Sequence, residues 1–143
     1  MDTVTYPDKA VTDFVNQTVV PLRIPADSEP LATQFGIKWT PALIILDWEG
    51  KEHSRTVGYL TVEEFIPSVL LGISKMYYDF DKYPETLALL DRIITTFSAT
   101  DSAPAAIFWK GVTGYKHTHD PKPLRQAWDQ LSGAYPGNMW TKR

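Results

Sequence analysis

The sequence predicts an α/β region followed by an all-α region of helical hairpins, and three observations carry that expectation. The apolar run Ala42-Leu43-Ile44-Ile45-Leu46 is bounded by Thr40-Pro41 on one side and Asp47-Trp48-Glu49-Gly50 on the other. So short a bounded run favours a buried strand over a helix, and Pro41, which has no N–H for a ladder, belongs at or just before its start. Beyond the tight turn, the alternation through His53-Ser54-Arg55-Thr56-Val57-Gly58-Tyr59 predicts a half-buried antiparallel partner. From Ile73 onward, apolar residues recur only at the three- and four-residue spacing of helices.

Taken in order, Ala10, Val11, Phe14 and Val15 predict a short amphipathic helix over Lys9 to Asn16, with Pro7 and Asp8 suited to its start. Val19-Val20-Pro21-Leu22-Arg23-Ile24 is a β-branched run that reads as an outer or bulged strand, because Pro21 interrupts it. Asp27-Ser28-Glu29-Pro30 opens a helix with Leu31, Ala32 and Phe35 inward, and Gly36 ends it. Thr40-Pro41 is also a plausible place for a cis peptide bond. Thr61 and Glu64 have the spacing of a capping box, so a helix starts there with Phe65, Val69 and Ile73 inward.

The character of the chain changes near Leu71-Gly72. Ile73, Met76, Tyr77 and Phe80 form one stripe; Leu87, Leu90, Ile93, Ile94 and Phe97 form the next, after a break at Asp81-Lys82-Tyr83-Pro84. A third helix is expected over Ala103 to Lys116, and a fourth carries Leu124, Ala127, Trp128, Leu131 and Tyr135. Phe97-Ser98 and Tyr135-Pro136 close two similar units. Their separation of about 38 residues is about one turn longer than the tetratricopeptide period. Either two degenerate tetratricopeptide-like (TPR-like) hairpins or a generic four-helix appendage fits that pattern.

Bulk composition narrows the function classes. With 143 residues, 43% hydrophobic and 22% charged, the chain has the make-up of a globular protein. A net charge of −3 gives no reason to expect nucleic acid or an anionic membrane as partner. No apolar run approaches the roughly 20 residues of a membrane span, and Met1 to Asp8 lacks the cationic start and apolar core of a signal peptide, so a cytoplasmic location is expected. There is no cysteine, which removes disulfides, thiolate metal sites and thiol redox chemistry from this chain.

The segment Phe35 to Glu52 resembles the cis-proline loop and following strand of thioredoxin-fold proteins. The opening Met1-Asp2-Thr3-Val4-Thr5-Tyr6-Pro7-Asp8-Lys9-Ala10-Val11 is similar to the stretch just after the cysteine pair in one branch of that family, which has an early Trp-Cys-x-x-Cys, a Met-Asp step and a Thr-Tyr step. Phe14, Val15, Asn16 and Val20-Pro21 continue the likeness. The resemblance covers residues 1–71 and implies a partial thioredoxin-like domain lacking the N-terminal strand and the cysteine pair. Residues 72–143 then form the TPR-like tail. In that family the missing strand is central, so Val19 to Ile24 and Ala42 to Leu46 would flank an empty slot. Thr3-Val4-Thr5-Tyr6 recruited as a strand, a second copy of the chain, or a longer natural protein in which Met1 is internal would each fill it. The resemblance implies a non-catalytic protein-interaction module, with a protein or extended peptide and a second copy as partners. The alternative is a thiol–disulfide oxidoreductase whose Cys-x-x-Cys lies upstream of Met1.

Trp39, Thr40 and Pro41 are the best site candidates, since in the family this loop presents backbone to an extended substrate. A structural proline fixing a strand is the bland reading. His117, His119 and Asp120 offer three ligands at one turn, but a closed zinc site wants four and no other His or Cys stands near in sequence, so neither a metal nor a cofactor is expected. Asp79, Asp81 and Glu85, or Glu63 and Glu64, are carboxylate groupings that caps and surface charge explain better than acid–base chemistry. Trp109, Trp128 and Trp140, with Tyr115 and Tyr135, make an aromatic-rich end that is either core between helices or, where exposed, a partner surface.

Overall fold

The computed structural model describes residues 1–143. It is mixed α/β and rich in helix, with six helices and one two-stranded antiparallel sheet. The elements run α1 (Lys9–Thr18), α2 (Leu31–Gln34), β1 (Ala42–Leu46), β2 (Glu52–Val57), α3 (Val62–Asp79), α4 (Tyr83–Thr96), α5 (Ser102–Thr118) and α6 (Lys122–Ala134).

Local chemistry explains most boundaries. Asp8 starts α1 by accepting from the N–H groups of Ala10 and Val11 at 2.9 and 3.1 Å, which satisfies donors that the helix itself cannot. Thr61 caps α3 by accepting from the Glu64 N–H at 3.3 Å. The reciprocal half of the expected capping box goes elsewhere. The Glu64 carboxylate accepts from the Asp101 N–H at 2.9 Å, tying the entry of α3 to the entry of α5. Burial at that junction raises its pKa above the ordinary carboxylate value.

The hairpin register pairs Ala42 with Val57, Leu43 with Thr56, Ile44 with Arg55 and Ile45 with Ser54. Asp47 builds the turn. One of its carboxylate oxygens accepts from the N–H of Glu49 and of Lys51, at 2.9 and 3.0 Å, and Gly50 supplies the positive φ of 79°. On the inner face, Leu43 and Ile45 join the main core. Gly72 of α3 lies against Ile45 so closely that a Cβ there would sit 2.6 Å from Ile45 Cγ1. Only glycine permits that approach.

The main core runs without interruption across the molecule. Val11 and Phe14 of α1 meet Phe65, Val69, Leu70 and Ile73 of α3, Leu90 and Ile93 of α4, and Ala106 of α5. A smaller cluster of Ile107, Ala127 and Leu131 joins α5 to α6. The change of composition at Leu71-Gly72 therefore falls inside α3, a continuous 18-residue helix whose side chains belong to the same core as the hairpin. No helix is long and apolar enough to cross a membrane.

One expected strand, and one of the three alternatives for filling the slot, need correction. Val19 to Ile24 forms no ladder: it runs as an irregular segment with Val20 96% exposed, since no neighbouring strand offers it hydrogen bonds and Pro21 offers none itself. Thr3-Val4-Thr5-Tyr6 is not a replacement strand either. The N–H groups of Thr5 and Tyr6 both donate to the Met1 carbonyl at 3.0 Å, curling the segment into a turn, and buried Thr5 donates its hydroxyl to the Leu60 carbonyl at 2.7 Å.

Candidate functional site: the open edge of β1 and the loop before it

Only one edge of β1 is paired. The Gly58 N–H donates to the Pro41 carbonyl at 2.9 Å and the Asp47 N–H to the Lys51 carbonyl at 3.0 Å, which fixes the phase of the ladder. In an antiparallel pair the bonded positions alternate, so Leu43 and Ile45 turn their N–H and C=O groups toward β2. Ala42, Ile44 and Leu46 turn theirs the other way, and no backbone hydrogen bond outside the pairing with β2 reaches them. This edge carries no charge and no interior proline, the usual devices that blunt a free strand. Strand-edge backbone groups without hydrogen-bond partners can pair with another polypeptide segment.

The sequence-predicted residues Trp39, Thr40 and Pro41 stand at the head of that edge. The Thr40–Pro41 bond is cis, as is Glu29–Pro30. Trp39 is 77% exposed and Thr40 is exposed, so the loop presents an aromatic face and open backbone beside the edge. Val57 and Tyr59, both exposed, extend the apolar surface on the β2 side of Pro41. Trp48, at the other end of β1, is 76% exposed even though one face of its ring stacks on Phe80 at 4.9 Å between centroids.

The hairpin is clamped to α3 by His53, a residue that sequence pattern alone does not single out. His53 has no register partner, because Ile45 pairs with Ser54 and Leu46 with Glu52; it is the extra residue of a β-bulge. Bulges re-aim a side chain. Here the imidazole is wholly buried between two carboxylates, with Nε2 2.8 Å from Asp47 and Nδ1 2.6 Å from Asp79 at the end of α3. Burial alone would lower its pKa, but the hydrogen bonds to Asp47 and Asp79 outweigh that and raise it. The bond from His53, together with the turn N–H groups, holds the Asp47 carboxyl below the usual carboxylate value. With both ring nitrogens committed to carboxylates, His53 has no free position for a substrate or a metal. Its chemistry is that of a clamp.

The other candidates disperse. His119 caps α5 in the left-handed conformation with φ 60°, and Asp120 accepts from the Lys122 N–H at 2.9 Å to start α6; no group of three or more His, Asp or Glu side chains is arranged to hold a metal ion. Asp81 accepts from the Tyr83 hydroxyl at 2.6 Å, Asp79 serves His53 and Glu64 serves Asp101, so these carboxylates do not converge. Trp109 is half-buried against the main core and Trp140 packs on Phe108, while Trp128 alone of the three is exposed, at 60%. A shallow cavity of about 530 Å³ opens between α5 and α6 where Gly111 and Gly114 let the helices close up; its one lysine, Lys110, is paired with Asp91 at 2.6 Å. The only sequence signal for the His53 clamp is an Asp at a turn and a His just beyond it, which identifies no third partner.

No known protein family, curated protein or solved structure matches this chain.

Proposed function

We propose that this chain is a cysteine-free, thioredoxin-like protein-interaction module that takes an extended polypeptide segment along the outer edge of β1, beside Trp39-Thr40-Pro41. The TPR-like helices α3 to α6 supply the scaffold, with Trp128 a secondary contact point. The observation that carries this reading is the unpartnered edge at Ala42, Ile44 and Leu46 next to an exposed tryptophan. Backbone groups on such an edge give affinity to any extended segment, and a large amphipathic ring beside it supplies an anchor. The fold-level likeness is supported by the order of helix, β-hairpin and helix. The absence of thiols removes thiol–disulfide turnover from this reading, since a mixed disulfide needs a cysteine.

Amide exchange with a library of extended, uncharged peptides tests the reading. Bound peptide is expected to slow exchange at Ala42, Ile44 and Leu46 and to quench Trp39 fluorescence, and Trp39→Ala is expected to weaken binding about tenfold or more. Peptides that bind only at α5 and α6 and leave those amides untouched would replace this site with another. In an insulin-reduction assay the chain should give no turnover.

A further inference from the structure

We infer that the polypeptide segment paired with β1 is β1 of a second copy, joined about a two-fold axis through Ile44. This deepens the reading of the β1 edge as a polypeptide-binding site and rests on it. A two-fold interface requires one surface to be complementary to itself. Antiparallel pairing of Ala42–Leu46 with its own copy meets that condition. Ile44 lies opposite Ile44, Ala42 opposite Leu46, and every outward N–H finds an outward C=O. The inward groups of Leu43 and Ile45 keep their bonds to β2, so the sheet extends in the order β2-β1-β1-β2 without changing the register that the chain already has.

The flanks are complementary as well. Lys38 precedes the strand and Glu49 comes after it; both are exposed and neither has an ion-pair partner in its own chain. Antiparallel pairing sets the Lys38-Trp39 end of one copy beside the Trp48-Glu49 end of the other, twice over. It also brings the two exposed tryptophans, at 77% and 76%, to the same interface. Covering what they now expose on both copies removes roughly 500–750 Å² from water. That is a large share of the roughly 1,200–2,000 Å² of a specific interface, and the paired strands add to it.

The test is sedimentation equilibrium of the full chain across a wide concentration range, with amide exchange on the same samples. A reversible dimer is expected, with protection of the Ile44 amide rising in step with dimer fraction. Lys38→Glu and Glu49→Lys alter only exposed side chains. Each alone should weaken the dimer about three- to tenfold, and the two together should restore it. A strict monomer at all concentrations overturns the inference. In that case a peptide that still protects Ala42, Ile44 and Leu46 leaves the broader reading standing, and one that does not removes both. A dimer whose Ile44 amide exchanges freely and which ignores the charge exchange uses a different face, and overturns the inference too.

Discussion

The helical end and the hairpin end of this molecule solve the same problem differently. Between its ends a helix satisfies its own backbone, so α3 to α6 need only caps and the burial of their apolar stripes against one another, and the fully buried Leu90, Ile93, Ala106 and Ile107 show that burial. A two-stranded sheet cannot close on itself. It satisfies one edge of each strand and leaves the other to solvent or a partner. The hairpin is thus held by things outside itself: the seat of Ile45 against Gly72, and the carboxylate clamp on His53. The fully buried side chains are concentrated in the helices, and the unpaired backbone groups in the strands.

Breaking the helical side should have the largest effect. Leu90 is 0% exposed at the centre of the shared core, so Leu90→Ala is expected to cost about 2–5 kcal/mol in a denaturant melt. Because α1, α3, α4 and α5 meet there, the loss should appear as one cooperative transition. Two separate transitions would show that the hairpin end and the helical end fold independently.

Gly72→Ala probes the seam between the two ends. Its new Cβ would meet Ile45 Cγ1 at 2.6 Å and Ser54 Cβ at 3.3 Å. Overpacking of this kind costs about 1–3 kcal/mol, against a gain of about 1 kcal/mol in helix propensity. A modest net destabilisation is expected, with the hairpin amides losing protection before those of α4 and α5. Ile45→Ala removes the clashing carbon, so the double variant should be more stable than the sum of the single effects. Strict additivity would mean that the two residues do not touch.

The His53 clamp sharpens the comparison through pH. Its folded-state pKa is raised above 6.5, so its contribution is complete below that value and is lost as pH rises through the higher folded value. Asp47 has a folded pKa below 3.8, so its contribution is present above that value and is lost as pH falls through the lower folded one. The groups facing the ring are Asp47 from the turn and Asp79 from α3, with Phe80 alongside at 5.2 Å. Melting temperature should therefore be highest between about pH 4 and 6.5 and fall on the alkaline side. His53→Ala should lower the maximum by roughly 3–10 °C and flatten that alkaline fall. An unchanged alkaline slope in the variant would assign the pH dependence to another group.

Legibility in the sequence divides along the same line. The helices α3 to α6 are readable because their periodicity and their breaks at Asp81 and Pro121 are local, and β1 is readable because Pro41 and the Asp47 turn bracket it. Val19 to Ile24 misleads because β-branched residues mark strand-like composition, whereas a strand also needs a neighbour, and none is supplied there. The carboxylates Asp79 and Glu64 are visible, but their partners, His53 and the Asp101 N–H, lie 26 and 37 residues away. The loop Trp39-Thr40-Pro41 stands out in the sequence. The unpaired edge beside it does not, because which groups of β1 point outward depends on a hydrogen-bond phase that spacing does not carry.

The smallest expected effect on stability is also the one that separates folding from binding. Trp39 rests on nothing that its removal would unpack, so Trp39→Ala should change unfolding free energy by no more than about 0.5 kcal/mol. Trp109, of the same residue type, is half-buried against Tyr78, 5.4 Å away, and the main core, so Trp109→Ala should cost several times as much. Binding should rank them the other way. Loss of Trp39 should abolish most peptide or self-association, while any Trp109 variant that remains folded keeps it. A Trp39→Ala protein that unfolds as readily as Trp109→Ala would mean that Trp39 is part of the core, and the edge of β1 would then lack its anchor.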